Sequence, residues 1–209
     1  MTHPTSTAKI AREYVPLDDQ KIHGVTFDGK LVWFARANEL VAFDAETDKV
    51  VRRFNIPGAR GGTAFDGEHI YQLAGDEILV VRPADGRIVR KLPAPGKGCN
   101  SGMAWADGHL WIGQGPEAKI HKVDAKTGAV VKTLSSDRFV TGVSCVEGAV
   151  WHAASEDGKP SELRRLATDG TVEEALFVSC ERIGGLEGTT NGSFWCAAER
   201  GKLLLVRPT

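Results

Sequence analysis

Nothing in this chain is both long and apolar. No hydrophobic run approaches the ~20 residues that a membrane-spanning helix needs. The opening residues, MTHPTSTAKIAREYV, lack the apolar stretch of a secretory signal. If Met1 is the true start, these absences point to a cytoplasmic protein with no membrane partner. Cysteine is scarce: Cys99, Cys145, Cys180 and Cys196 contain no CxxC pair. That argues against a disulfide framework and for free thiols in a reducing compartment. Neither sign of charge dominates, with a formal net charge of -1 and a pI near 6.6. Without a basic stripe, nucleic acid is excluded as a partner. The sequence also lacks a G-x-S-x-G elbow, an H-E-x-x-H pair, a Walker loop and a dinucleotide-binding fingerprint. GARGG (58–62) is rich in glycine but opens a strand pattern, so no helix N-terminus awaits a phosphate. No stretch carries a convincing helical period.

What the chain does have is a repeat. GVTFDGKLVW (24–33) returns as GTAFDGEHIY (62–71), GMAWADGHLW (102–111), GVSCVEGAVW (142–151) and LEGTTNGSFW (186–195). Each copy reads as a strand, a tight turn on Asp-Gly, Glu-Gly or Asn-Gly, and a second strand leading to an aromatic. Trp33, Tyr71, Trp111, Trp151 and Trp195 stand 38, 40, 40 and 44 residues apart. That period belongs to the blades of a propeller, at about 40–50 residues each. The aromatics are expected to pack between blades rather than to stack on a ligand.

Most copies continue into a third and a fourth strand: LVAFD and KVVRRFNI, ILVVR and RIVRKLP, KIHKVD and AVVKTL, ELRRLA and TVEEALFV. The fifth stops after KLLLVRP (202–208), one strand short. IAREYVPL (10–17) has the pattern of IVRKLPAP (88–95) and supplies the missing strand. The expected fold is therefore an all-β five-bladed propeller of four strands per blade, closed by the N-terminal strand pairing in the last blade. One domain spans 1–209, with blades at about 22–56, 60–94, 99–135, 139–178 and 183–208. Residues 9–17 form the closing strand, and residues 1–8 are expected to be disordered.

Turn lengths choose a functional face. The hairpin turns share one end of the ring. The longer crossings between blades share the other end with loops such as GQGPEA (113–118) and SEDGKPS (155–161). The first residues of the inner strands should ring the channel mouth there: His23, Arg60, Asn100 with Ser101, Thr141, and Glu187. Glu187, flanked by glycines, and His23 form a candidate acid–base pair. Arg60, Asn100, Ser101 and Thr141 are candidate substrate contacts, with Gln114 and His152 behind them. The only cofactor candidate is a divalent metal, Mg²⁺ or Ca²⁺, at His23, Glu187 and His152, a set that spacing cannot test.

The stretches GVTFDG…W…FDAETDKVVRRF, SGMAWADGHLWIGQ (101–114), RFVTGVSCVEGAVWHA (138–153), SELRRLATDG (161–170) and GGLEGTTNGSFWCA (184–197) resemble bacterial propellers of the glutaminyl cyclotransferase-like group. They also resemble the wider group that holds the streptogramin lyases. The likeness runs over essentially the whole chain. It implies the fold and, in true cyclotransferases, conversion of an N-terminal glutamine to pyroglutamate with loss of ammonia. Two carboxylates of that family's pattern are replaced here, one within Arg60-Gly61-Gly62 and one within Val140-Thr141-Gly142-Val143-Ser144. Glu187 falls in another blade. Three readings follow. The first is a peptide- or small-molecule-processing enzyme of cyclotransferase or lyase type. The second is a non-catalytic propeller that binds a ligand or protein. The third is a metal-dependent lyase. A small molecule or short peptide is the expected partner, and a monomer the expected state.

Overall fold

The structure is a computed structural model that describes residues 3–156, 159–180 and 182–209. Among them only Gly96–Gly98 forms a helical turn; everything else regular is strand. β1 is Thr5–Tyr14. The first repeat folds as β2 (Gly24–Phe27), β3 (Val32–Arg36), β4 (Glu39–Asp44) and β5 (Lys49–Asn55). The second gives β6 (Ala59–Phe65), β7 (Ile70–Ala74), β8 (Glu77–Val81) and β9 (Ile88–Pro93). The third gives β10 (Asn100–Ala106), β11 (His109–Gln114), β12 (Lys119–Asp124) and β13 (Val130–Ser135). The fourth gives β14 (Phe139–Val146), β15 (Ala149–Ser155), β16 (Ser161–Leu166) and β17 (Val172–Val178). The fifth gives β18 (Ile183–Gly188), β19 (Phe194–Ala198) and β20 (Leu203–Pro208). The first three repeats are four-stranded antiparallel sheets. The last two share one eight-stranded sheet ordered β14-β15-β16-β17-β1-β20-β19-β18. The arrangement is propeller-like, and no helix of the described residues is long and apolar enough to cross a membrane.

β1 lies antiparallel against β20, from Ala8 opposite Pro208 to Tyr14 opposite Leu203. Its first residues differ from expectation. Thr5 to Ala8 run parallel to Ala175–Val178 of β17, where disorder was expected over residues 1–8. Backbone pairing satisfies these polar residues, and no side-chain pattern in THPTST announces it. The strand also ends at Tyr14 rather than at residue 17. Tyr14 turns inward there, against Phe43 and Trp195.

The turns form for local reasons. The Asp28 carboxylate accepts the backbone N–H groups of Lys30 and Leu31 at 2.8 and 2.7 Å and the indole N–H of Trp33 at 2.7 Å. One side chain thereby fixes both the turn and the repeat's aromatic. Asp107-Gly108 and Glu147-Gly148 take positive φ at both central positions, the hairpin geometry that matches strand twist.

The core is five separate apolar clusters, each between two neighbouring repeats. Each holds one of the repeat aromatics, so Trp33, Tyr71, Trp111, Trp151 and Trp195 are packing residues as expected. Burying each contributes about 1.5–3 kcal/mol.

The inner strands meet through glycine. A Cβ on Gly24 would lie 2.5 Å from the Gly61 carbonyl oxygen. One on Gly62 would lie 2.2 Å from the Met103 nitrogen, and one on Gly102 2.3 Å from the Val143 nitrogen. One on Gly142 would lie 2.8 Å from the Leu186 nitrogen, and one on Gly185 3.0 Å from the Val25 nitrogen. The backbones therefore approach each other more closely than any side chain allows.

Candidate functional site

On the side of the crossings, a cavity of about 250 Å³ is lined by residues that immediately precede several of these glycines. Its lining includes His23, Arg60, Asn100, Ser101, Thr141 and Gly184, with Lys21, Phe139 and Arg182. The pairing registers of β6, β10, β14 and β18 each slip at this end. Such bulges re-aim side chains at sheet rims. Five of the residues expected at the mouth thus line one cavity.

Glu187 is not among them. The expectation set LEGTTNGSFW against GVTFDGKLVW, with Leu186 in the place of Gly24. The structure aligns Gly185 instead: its absent Cβ abuts Gly24 and Val25, whereas one on Gly188 would strike Val146 and Phe194. The residue matching His23, Ser101 and Thr141 is therefore Gly184. Glu187 projects beyond the glycines toward the hairpin end, where Thr26 Oγ1 donates to its carboxylate at 3.2 Å. It keeps a partly open surface. Even so, the protein around it pushes its carboxyl up to about 8, with the Thr26 bond pulling weakly the other way.

A carboxyl raised this far binds a proton in the folded state where the unfolded chain has released it. That contribution to stability is complete below the ordinary glutamate value. It is lost progressively as pH rises to about 8. Glu187→Gln should flatten this slope and leave the variant more stable than wild type above pH 8. A gap of about 1–3 kcal/mol is expected, once the solvent that reaches the group is allowed for. Urea titrations at pH 5 and pH 9 measure it, and parallel slopes for the two proteins would contradict it.

His23 is half-buried. Burial, then the charges of Lys21 and Arg60, push its imidazole down to about 4. At neutral pH it is a neutral hydrogen-bonding group. Thr141 spends its hydroxyl proton on the Ala153 carbonyl at 3.1 Å. Asn100 donates its amide to the Pro95 carbonyl at 2.6 Å. Among the described residues, that leaves Asn100 Oδ1 buried without a partner, along with Ser101 Oγ and Gln114 Nε2.

Gln114 does not line the cavity; it stands opposite Asn100 in the β10–β11 ladder, fully enclosed. Its Oε1 is 2.8 Å from His121 Nε2, and His121 Nδ1 is 2.8 Å from Thr133 Oγ1. Since an amide oxygen only accepts, the imidazole donates through Nε2 and the Gln114 N–H₂ points away from it. The amide is thereby turned toward Gly96, which has room for no side chain beside it.

His152 is also off the cavity. It is fully buried in the fourth repeat, 3.5 Å from Ser136 Oγ, and burial holds it near 4. His23, Glu187 and His152 therefore do not meet as the expected metal set. No group of three or more metal-ligating side chains gathers among the described residues.

Three charged or aromatic lining residues escaped the sequence reading: Lys21, Phe139 and Arg182. Each stands three positions before its inner-strand glycine, Gly24, Gly142 or Gly185. That shared register was the available signal. In short polar crossings such residues read as solvated. The SEDGKPS loop expected beside the site falls partly outside the described residues, which omit 157 and 158.

No family model matches the chain, and no curated protein does. Solved structures do. The glutaminyl cyclase of Myxococcus xanthus superposes with a TM-score of 0.78 at 16% identity, over 99% of this chain and 98% of that one. The hydrazine synthase of Kuenenia stuttgartiensis superposes with a TM-score of 0.58 at 14% identity, over 87% of this chain and 57% of that one. At such identities the likeness is one of fold, and the chain has the propeller-like fold of these proteins.

Proposed function

We propose that the chain is a five-bladed propeller of glutaminyl cyclotransferase-like type that binds a small molecule or short peptide at the channel mouth. Five inter-repeat clusters, the glycine contacts that return from Gly185 to Gly24, and the pairing of β1 with β20 support five blades and closure by the N-terminal strand. The observation that carries the function is the convergence of Lys21, His23, Arg60, Ser101, Thr141 and Arg182 on one cavity. Convergent polar groups in a concavity of this size suit a small organic ligand.

Binding is favoured over catalysis by the position of Glu187. A proton shuttle needs acid and base within hydrogen-bond reach of one substrate. Glu187 and His23 lie on opposite sides of the inner-strand glycines. The full-length likeness to a glutaminyl cyclase favours a second reading, in which the mouth performs cyclotransfer with His23 as its base.

Ammonia release from short peptides with N-terminal glutamine separates the two. The binding reading expects no release from wild type and a saturable heat of binding from a ligand library. Release that survives in Glu187→Gln and disappears in His23→Ala would replace it with the catalytic reading.

A further inference from the structure

The mouth is more specific than a generic polar hollow. Lys21, Arg60 and Arg182 all line it, and none of the three forms an ion pair with a described residue. Some other basic side chains on this surface are matched: Arg53 with Glu39, Lys91 with Glu77, Lys119 with Glu117, Arg138 with Glu162. Three cations on one rim, unmatched by any described carboxylate, leave a local positive field in a chain of net charge -1.

Beside them lies an exposed aromatic. Phe139 is 39% exposed and rests over Gly115, whose added Cβ would come within 2.4 Å of the ring. The Arg182 guanidinium stands 5.5 Å from the centre of that ring. Arg182 also borders two adjoining hollows. One is lined by Asp137, Arg138, Phe139, Ser155 and Glu156; the other includes Asp19, Lys21, Glu199 and Arg200. Both flanks mix acids with bases, so the lining that is basic without acids is confined to the mouth and suits a single negative group attached to an apolar body.

On the reading that the mouth is a binding site, we infer that it recognises a carboxylate held by Lys21, Arg60 and Arg182, with the adjoining apolar group seated on Phe139. Charge-assisted bonds to guanidinium supply the discrimination between acid and amide. The carboxylate has two chemical sources, the C-terminus of a peptide or a free organic acid.

Calorimetric titration with N-acetylphenylalanine and with its amide tests the inference. The acid should bind about tenfold more tightly than the amide, as expected for one charged hydrogen-bonded contact. Arg60→Gln combined with Arg182→Gln should abolish that preference. Phe139→Ala should weaken acid and amide alike. The exposed thiol of Cys99, which lines the same cavity, reports location through its rate of alkylation by iodoacetamide. Tighter binding by a tetrapeptide ending in phenylalanine identifies a peptide source; equal binding identifies a free acid. Equal protection of Cys99 by acid and amide overturns carboxylate recognition while the mouth stands as a site. Binding that leaves Cys99 unprotected removes the mouth itself. Absence of binding by any probe at millimolar concentration overturns the inference.

Discussion

Gly62→Ala is expected to destabilise the protein by about 3 kcal/mol or more, because the new methyl group meets backbone on the neighbouring strand. Its Cβ would lie 2.2 Å from the Met103 nitrogen and 2.5 Å from the Gly102 carbonyl carbon. A flexible side chain can swing away from such a clash, but a strand inside a hydrogen-bonded sheet cannot. For a chain of this length the melting temperature should fall by about 6–12 °C. Gly184→Ala is the control. Its nearest neighbour would be the Ile22 carbonyl oxygen at 3.5 Å. That change should stay within about 0.5 kcal/mol of wild type. Equal melting temperatures for the two variants would refute the account of how the inner strands meet.

Glu162→Ala should cost about 3–5 kcal/mol, the usual result of leaving a buried charge without its partner. Glu162 and Arg164 are 5% and 2% exposed. Arg164 Nε donates to Glu162 at 2.7 Å, and Arg138 donates to the other carboxylate oxygen at 2.9 Å. Without Glu162, the largely exposed Asp137 is the one described residue that remains ion-paired with Arg164. A Glu162→Leu, Arg164→Met double variant should recover most of the loss, since apolar residues of similar volume replace such pairs well. Urea unfolding gives both numbers. A double variant no better than Glu162→Ala would mean that the pair stabilises the protein beyond its shape.

These two effects differ in how far the sequence discloses them. The repeat was legible because its causes are local: an aspartate that fixes its own turn and an aromatic four or five residues on. The N-terminal strand was legible as the answer to a missing partner. Its parallel run along β17 was not, because backbone pairing between distant residues leaves no mark on side-chain pattern. The lining of the cavity was legible to about the same depth. His23, Arg60, Asn100, Ser101 and Thr141 follow from counting into each inner strand. Glu187 misled because GGLEG offers three glycines, and only packing against Gly24 decides which one faces the neighbouring strand. Lys21, Phe139 and Arg182 required that same decision first, since their register is counted from it.

The pairing of β1 with β20 gives the protein an unequal response to heat and to force. Within an eight-stranded sheet, this seam opens only with its neighbours when the molecule is warmed. A pull applied through Thr5 and Pro208 acts differently. Ala8 faces Pro208, so the two pulling points leave the same edge of an antiparallel pair. Tension then falls on one backbone bond at a time, and each contributes only about 1 kcal/mol. The eight-stranded sheet should therefore unzip at low force between β1 and β20. It would open like a clasp, while the three four-stranded sheets remain folded.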